Sequence, residues 1–260
     1  MINFRHVLLM VAAACAGVPG SAAAYTFTMS EAEFSTWPMY CQARYASLDI
    51  GRQQNFSMNY SRALIEQARA QLGAPTFERV HHWCTGMVWL DRARFETDPK
   101  LREFQLSSAK TESQFTLVGL QADSPIIPSI LVTLGLICQE QKDFTCAIEM
   151  FEKAIAERAT DPTPYSALAV VYRKQKQLDL AREILLRGDK VMQGKSPEIQ
   201  YNLGLILLEL KDVDGALEYA QKAYLGGHQL PGLRNKLTQL GRWVEPKVES
   251  KEPQSAAHSP

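Results

Sequence analysis

The chain has 260 residues, 46% of them hydrophobic and 22% charged, which is enough apolar material for a core and excludes disorder throughout. Its 28 Lys and Arg balance 28 Asp and Glu, so the formal charge is zero and no global field draws in nucleic acid or anionic lipid. Neither is expected as a partner.

Residues 1–24 open with Arg5 and His6, run through apolar Val7 to Ala14, and close on Ala22-Ala23-Ala24 before Tyr25. This is the pattern of a cleavable secretory signal, and its apolar run is too short for a permanent span. A lipid anchor at Cys15 is the competing reading. Only alanines at 12–14 precede that cysteine, where a bacterial lipoprotein signal carries a larger aliphatic residue. Cleavage after Ala24 and export to the periplasm are therefore expected, with outer-membrane association left open.

Export places Cys41, Cys84, Cys138 and Cys146 in an oxidising compartment, where disulfides persist. Four cysteines allow three connectivities, and sequence alone does not choose among them. Cys138 and Cys146 flank one predicted turn, which favours joining them and leaves Cys41 with Cys84. No Cys-x-x-Cys occurs, so neither a thioredoxin-type site nor a haem attachment motif is supported.

Residues 25–75 read as an N-terminal helical segment. Ser30-Glu-Ala-Glu is a capping box, Trp37-Pro38 interrupts, and a second piece carries Tyr40, Cys41 and Tyr45. Phe56 to Leu72 is expected helical, with Met58, Leu64, Ile65, Ala68 and Leu72 on one side, ending at Gly73-Ala74-Pro75. Residues 76–123 read as a degenerate, repeat-like helix pair. Its first helix spans about Thr76 to Phe95, with a stripe of Val80, Trp83, Cys84, Met87 and Val88 and a small contact residue at Gly86. Asp98-Pro99 breaks it, and a partner helix with Leu101, Phe104, Ala109, Phe115 and Val118 follows.

From Pro128 to His228 the sequence repeats. Gly135, Ala169 and Gly204 stand 34 and 35 residues apart, and the same step relates Pro128, Pro162 and Pro197, then Ala147, Ala181 and Ala216, then Ala154, Gly188 and Ala223. Small residues at fixed places are what two helices need where their backbones approach, with Leu134, Leu168 and Leu203 filling the space beside them. Asp161-Pro162 and Ser196-Pro197 are helix starts, and Lys142-Asp143-Phe144, Gln177-Leu178-Asp179 and Lys211-Asp212-Val213 are short polar turns. A last amphipathic helix from Pro231 to Trp243, with Leu233, Leu237, Leu240 and Trp243, would cover the end of the array. The residues 124–243 thus form one block of three repeats plus a cap, and 244–260 read as a disordered tail.

This 34-residue unit, small at position 8, Ala near 20 and small near 27, resembles the tetratricopeptide repeat of exported bacterial type. The resemblance implies an all-α fold, a right-handed superhelix or α-solenoid with an N-terminal helical extension and a C-terminal capping helix. The sequence departs from the family where aromatics at positions 4, 11 and 24 survive only as Tyr165, Tyr172 and Phe151, and where Gly86 to Ala109 is 23 residues instead of 12. The family also lines its concave face with positions 2, 5, 9 and 12 of each first helix. Here these are Ser129, Val132, Leu136 and Gln139, then Thr163, Ser166, Val170 and Arg173, then Glu198, Tyr201, Leu205 and Leu208. The partner-binding set is therefore Val132, Leu136, Gln139, Ser166, Val170, Arg173, Tyr201, Leu205 and Leu208. That face is mostly apolar and lacks the carboxylate clamp of members that bind peptide C-termini. A protein segment with apolar anchors suits it, unless the chain's own N-terminal helices or tail lie there.

Chemistry finds little purchase. His81, His82 and Cys84 carry zinc-type ligands, yet neighbours on a helix point about 100° apart, so helix histidines beside Trp83 are the preferred reading over a metal or thiol site. No nucleophile-elbow, zincin, dinucleotide or phosphate-loop motif occurs. Glu149 with Glu152, and the basic run Arg173, Lys174, Lys176, Arg182, Arg187, Lys190 and Lys195, read as solvated helix faces. The expectation is a scaffold without catalytic residues, metal or cofactor, binding a protein of an envelope assembly.

Overall fold

The columns of small residues become close contacts within the repeats. In this computed structural model, which describes residues 27–56 and 60–246, the repeat region is built from three antiparallel helix pairs. The three units are α7 (Ile127–Glu140) with α8 (Phe144–Glu157), α9 (Pro162–Lys174) with α10 (Leu178–Val191), and α11 (Pro197–Glu209) with α12 (Val213–Leu225). A Cβ added at Gly135 would stand 2.5 Å from the Phe151 ring, and one at Gly204 3.3 Å from the Ala216 carbonyl oxygen. Ala147, Ala181, Ala216, Ala154 and Ala223 are fully buried. Position 8 thus packs on position 20 in the third unit and on the position-24 ring of Phe151 in the first, as close helix approach demands.

Helix ends follow from local chemistry. Asp161 accepts from the Thr163 amide and Ser196 from the Ile199 amide, each ahead of a proline whose missing N–H is needed by no partner. Inside each unit the turn is tighter than the sequence suggests, since Phe144, Leu178 and Val213 already begin the second helices. Each first helix is closed by a lysine in the left-handed region, Lys142, Lys176 and Lys211, followed by a bond from the next amide back to Cys138, Tyr172 or Leu207.

Ahead of the array, α5 (Ala74–Phe95) and α6 (Pro99–Val118) form the longer hairpin. A Cβ on Gly86 would meet Ser113 Oγ at 2.8 Å and the Ala109 carbonyl at 3.0 Å, so Gly86 does serve as the small contact residue. Of the five apolar residues read on α6 from the sequence, only Ala109 is buried. Gln105, Leu106, Ala109, Ser113 and Thr116 face inward, while Leu101, Phe104, Phe115 and Val118 are exposed. Small and polar side chains are what allow the two long helices to approach so closely, and the bulky ones are turned out. Trp83 Nε1 donates to Thr133 Oγ1 at 3.0 Å, tying the hairpin to α7.

The N-terminal layer consists of α1 (Glu31–Ser35), α2 (Met39–Ser47), α3 (Asp49–Gln53) and α4 (Arg62–Leu72). The Ser30 capping box forms as read. Helix α4 starts at Arg62, six residues after Phe56, because Asn55 turns through positive φ and Ser61 caps the helix. Phe34 stacks on Phe56 at 4.5 Å, Cys41 is joined to Cys84, and Arg92 reaches from α5 to Glu33 at 2.7 Å. That guanidinium holds the Glu33 carboxyl down to about 2. The second pair, Cys138 and Cys146, closes the α7 to α8 turn. The end of the array is covered by α13 (Gly232–Gln239), shorter than expected because Gly241 takes positive φ and the Arg242 amide returns to Leu237. Leu233 and Leu237 are fully buried, Leu240 is exposed, and Trp243 lies beyond the helix against Tyr224 at 5.5 Å. The secretory-signal residues with Cys15, Met58, and the tail from 247 lie outside the described residues.

Candidate functional site

The first helices of successive units stand side by side, so α9, α11 and α13 form a wall whose outward positions share one surface. Between them lies a groove of about 470 Å³ lined by Arg173, Tyr201, Leu205, Leu208, Lys236 and Leu240, among others. It continues inward between α9 and α11, where Ser166, Val170 and Asn202 meet. Asn202 Nδ2 donates to Ser166 Oγ at 3.0 Å across that seam. Arg173 Nε donates to Glu209 Oε1 at 2.6 Å, and Lys211 and Lys236 complete a rim with three cations against one carboxylate.

The nine residues read from the sequence divide into two groups. Val170 (36% exposed), Arg173, Leu205 and Leu208 are open to the groove. Val132, Gln139 and Ser166 are buried, and Leu136 is half-buried in the contact between the two core clusters. Helix α7 has lost its open face because α5 and α6 pack on it. Tyr201 lines the groove but is only 9% exposed, stacked on His228 at 4.0 Å. Burial pushes the His228 imidazole down, with Glu198 opposing. The sequence reading missed Lys236 and Leu240, which come from the capping helix. The signal available for them was the amphipathic pattern itself, since a lid on the last repeat must border the last groove.

A larger hollow of about 640 Å³ is lined by Thr160, Pro162, Met192, Lys195 and Pro197. It lies at the connections between units, and none of the nine residues reaches it. The His81 and His82 rings lie 4.2 Å apart, and His82 Nδ1 meets Glu112 Oε2 at 2.6 Å. Burial first, then His82 and Arg44, push His81 down to about 3. Cys84 is bonded to Cys41, and among the described residues no three His, Cys, Asp or Glu gather around a common point. Three of the seven cations in the basic run of the second unit are in ion pairs: Arg173 with Glu209, Arg182 with Asp179 and Arg187 with Glu152.

Stacked antiparallel helix pairs bordered by such a groove define a helical-repeat binding scaffold. Two tetratricopeptide-repeat family models match, one over residues 139–201 and one over 197–225. With the repeat geometry above, these matches identify tetratricopeptide repeats within residues 139–225 of this chain. Among solved structures, MamA AMB-1 is 17% identical over 63% of this chain and 83% of its own, at a TM-score of 0.41. The Cut9 and Hcn1 hetero-tetramer of the APC/C is 16% identical over 76% of this chain, which spans 38% of that one, at a TM-score of 0.45. No curated protein matches significantly.

Proposed function

We propose that this chain is a non-catalytic interaction scaffold of an exported, periplasmic assembly, holding a segment of a partner protein in the groove between α9, α11 and α13. The observation that carries the reading is the open apolar floor of Val170, Leu205 and Leu208 under a rim with three cations and one carboxylate. An apolar floor with a net positive rim fits a segment that places aliphatic anchors between acidic residues, extended or helical. Export is supported by the pattern of residues 1–24 and by two cysteine pairs placed for oxidation.

The test is a photo-crosslinking residue placed at Leu208 and, as a control, at Leu186 on the exposed side of α10. In cells, the Leu208 probe should capture one discrete protein that the Leu186 probe does not. Capture should fall at least tenfold in Val170→Glu with helicity and melting unchanged, since removing an anchor costs about 2 kcal/mol and burying a carboxylate adds to the loss. Equal capture at both positions would remove the groove as the binding surface.

A further inference from the structure

Tyr201 lines the groove, yet what holds its ring in place comes from the connection between α12 and α13. The His228 ring lies nearly parallel to it, with centroids 4.0 Å apart. Its hydroxyl rests against Gly232, where a Cβ would stand only 2.8 Å away. The connection is fixed in turn by Tyr224, whose hydroxyl donates to the Leu230 carbonyl at 2.9 Å and accepts from the Arg234 amide at 3.0 Å. The His228 amide donates to the Ala223 carbonyl at 2.9 Å. His228 therefore touches the groove wall on one side and belongs to the attachment of α13 on the other.

The imidazole is badly placed for a charge. Its Nε2 is shut off from solvent and has no hydrogen-bond partner among the described residues. A neutral ring tolerates this by carrying its proton on Nδ1, whereas an imidazolium has an N–H on both nitrogens and would bury a charged donor without an acceptor. The face of Tyr201 attracts a cation, but it offers the Nε2 hydrogen nothing to bond along the ring plane. The groups that face His228 are Glu198 and Tyr201 from α11, Tyr224 from α12 at 6.3 Å and, over the Tyr224 ring at 4.8 Å, Arg234 from α13. Glu198 is the one carboxylate among them. It is not hydrogen-bonded to the stacked ring, so a charged His228 gains that partner only by moving.

We infer that His228 is an acid-sensitive latch of the groove: on protonation it leaves Tyr201, and both the Tyr201 wall and the α13 bank loosen, so the groove is formed at neutral pH and lost in acid. The sign follows from burial, which holds the stacked imidazole below its ordinary value of 6.5. Above pH 6.5 the ring is neutral whether latched or free, and below it the free ring takes the proton first, so the latch is at full strength above 6.5 and weakens as pH falls. A protein exported as proposed above would meet that range whenever its surroundings acidify. The consequence for a partner rests on the proposed use of the groove, whereas the loosening of α13 does not.

Hydrogen exchange of the chain cleaved after Ala24, with no partner added, reads the latch directly. From pH 7.5 to 5, corrected for the intrinsic pH dependence of exchange, protection of the α13 amides should fall about threefold or more in the wild type. His228→Phe keeps a ring on Tyr201 and takes no proton, so its α13 protection should not change. His228→Ala, which removes the ring, should show a loosened α13 already at pH 7.5 and no further loss at pH 5. His81 is present in all three, so its own response to acid cancels in the comparison. An unchanged wild type, or an equal loss in wild type and His228→Phe, would overturn the inference. Should the Phe variant fail to fold, a loss in acid that persists in His228→Ala would overturn it as well. Capture by the Leu208 probe should also weaken at pH 5 in the wild type and not in His228→Phe. If exchange follows His228 while the Leu208 and Leu186 probes capture equally, the latch stands and only the proposed use of the groove falls.

Discussion

Ala181 is fully buried in the same column as Ala216, whose carbonyl lies 3.3 Å from where a Gly204 Cβ would be. Replacing it by Leu forces three extra carbons between α9 and α10, at a cost of about 1–3 kcal/mol. Thermal melting should fall by several degrees, and an unchanged midpoint would mean that this column is not the closest helix contact. His81 makes the stability depend on acid. Its folded value of about 3 lies below the ordinary 6.5, so above pH 6.5 both states are neutral and below it only the unfolded chain takes the proton. Stability is therefore full above pH 6.5 and declines as pH falls toward 3, by about 1.4 kcal/mol per pH unit in between. The charges around it, Arg44 with Glu78 and His82 with Glu112, are the other groups that face this spot. Melting measured from pH 7 to 5 should decline less steeply in His81→Leu than in the wild type.

At the level of elements, the two cysteine pairs differ in what they hold. Cys41 to Cys84 fastens α2 to α5 across a sequence separation of 43, whereas Cys138 to Cys146 closes a turn across 8. Loop-closure entropy makes the first worth about 4 kcal/mol and the second about 2.5. No free thiol should titrate in the denatured, unreduced protein cleaved after Ala24. Cys41→Ala with Cys84→Ala should lose more denaturant stability than Cys138→Ala with Cys146→Ala, by about 1–2 kcal/mol. The element whose inner face the sequence did not reveal is α6. Periodicity reveals that Leu101, Phe104, Phe115 and Val118 share a stripe, but a stripe fits a partner as well as a core. Ser113, which does face inward, looks like a surface residue until Gly86 is seen to need it small.

For the whole molecule, the array was legible because each repeated column answers a hard steric demand, and a demand repeated three times is difficult to mistake. The groove was legible only at its C-terminal half. Val170, Arg173, Leu205 and Leu208 stand where the register puts them. Val132 and Gln139 are covered because the α5 and α6 hairpin packs on α7, and its irregular spacing concealed that it would. Tyr201 is closed off by His228, which comes from the connection after the last unit and belongs to no column. Neighbouring units are also joined by polar links about one repeat apart, Arg102 to Glu140, Glu152 to Arg187 and Arg173 to Glu209. Being half-exposed, each contributes less than about 1 kcal/mol.

Helix α13 is both the lid on the last unit and one bank of the groove. Among the described helices it rests chiefly on α11 and α12, by way of Leu233 and Leu237. In a chain of blocks that hold only their neighbours, the terminal block detaches most readily, so its amide hydrogens should exchange with solvent sooner than those of α9 or α11. Anything lodged against Lys236 and Leu240 must first find that block in place, and then keeps it there. By mass action, a partner present at 100 times its dissociation constant would add about 2.7 kcal/mol to the attachment of the lid. Occupancy of the groove would thus be recorded as slowed exchange in α13, a signal within this chain that needs no knowledge of what has bound.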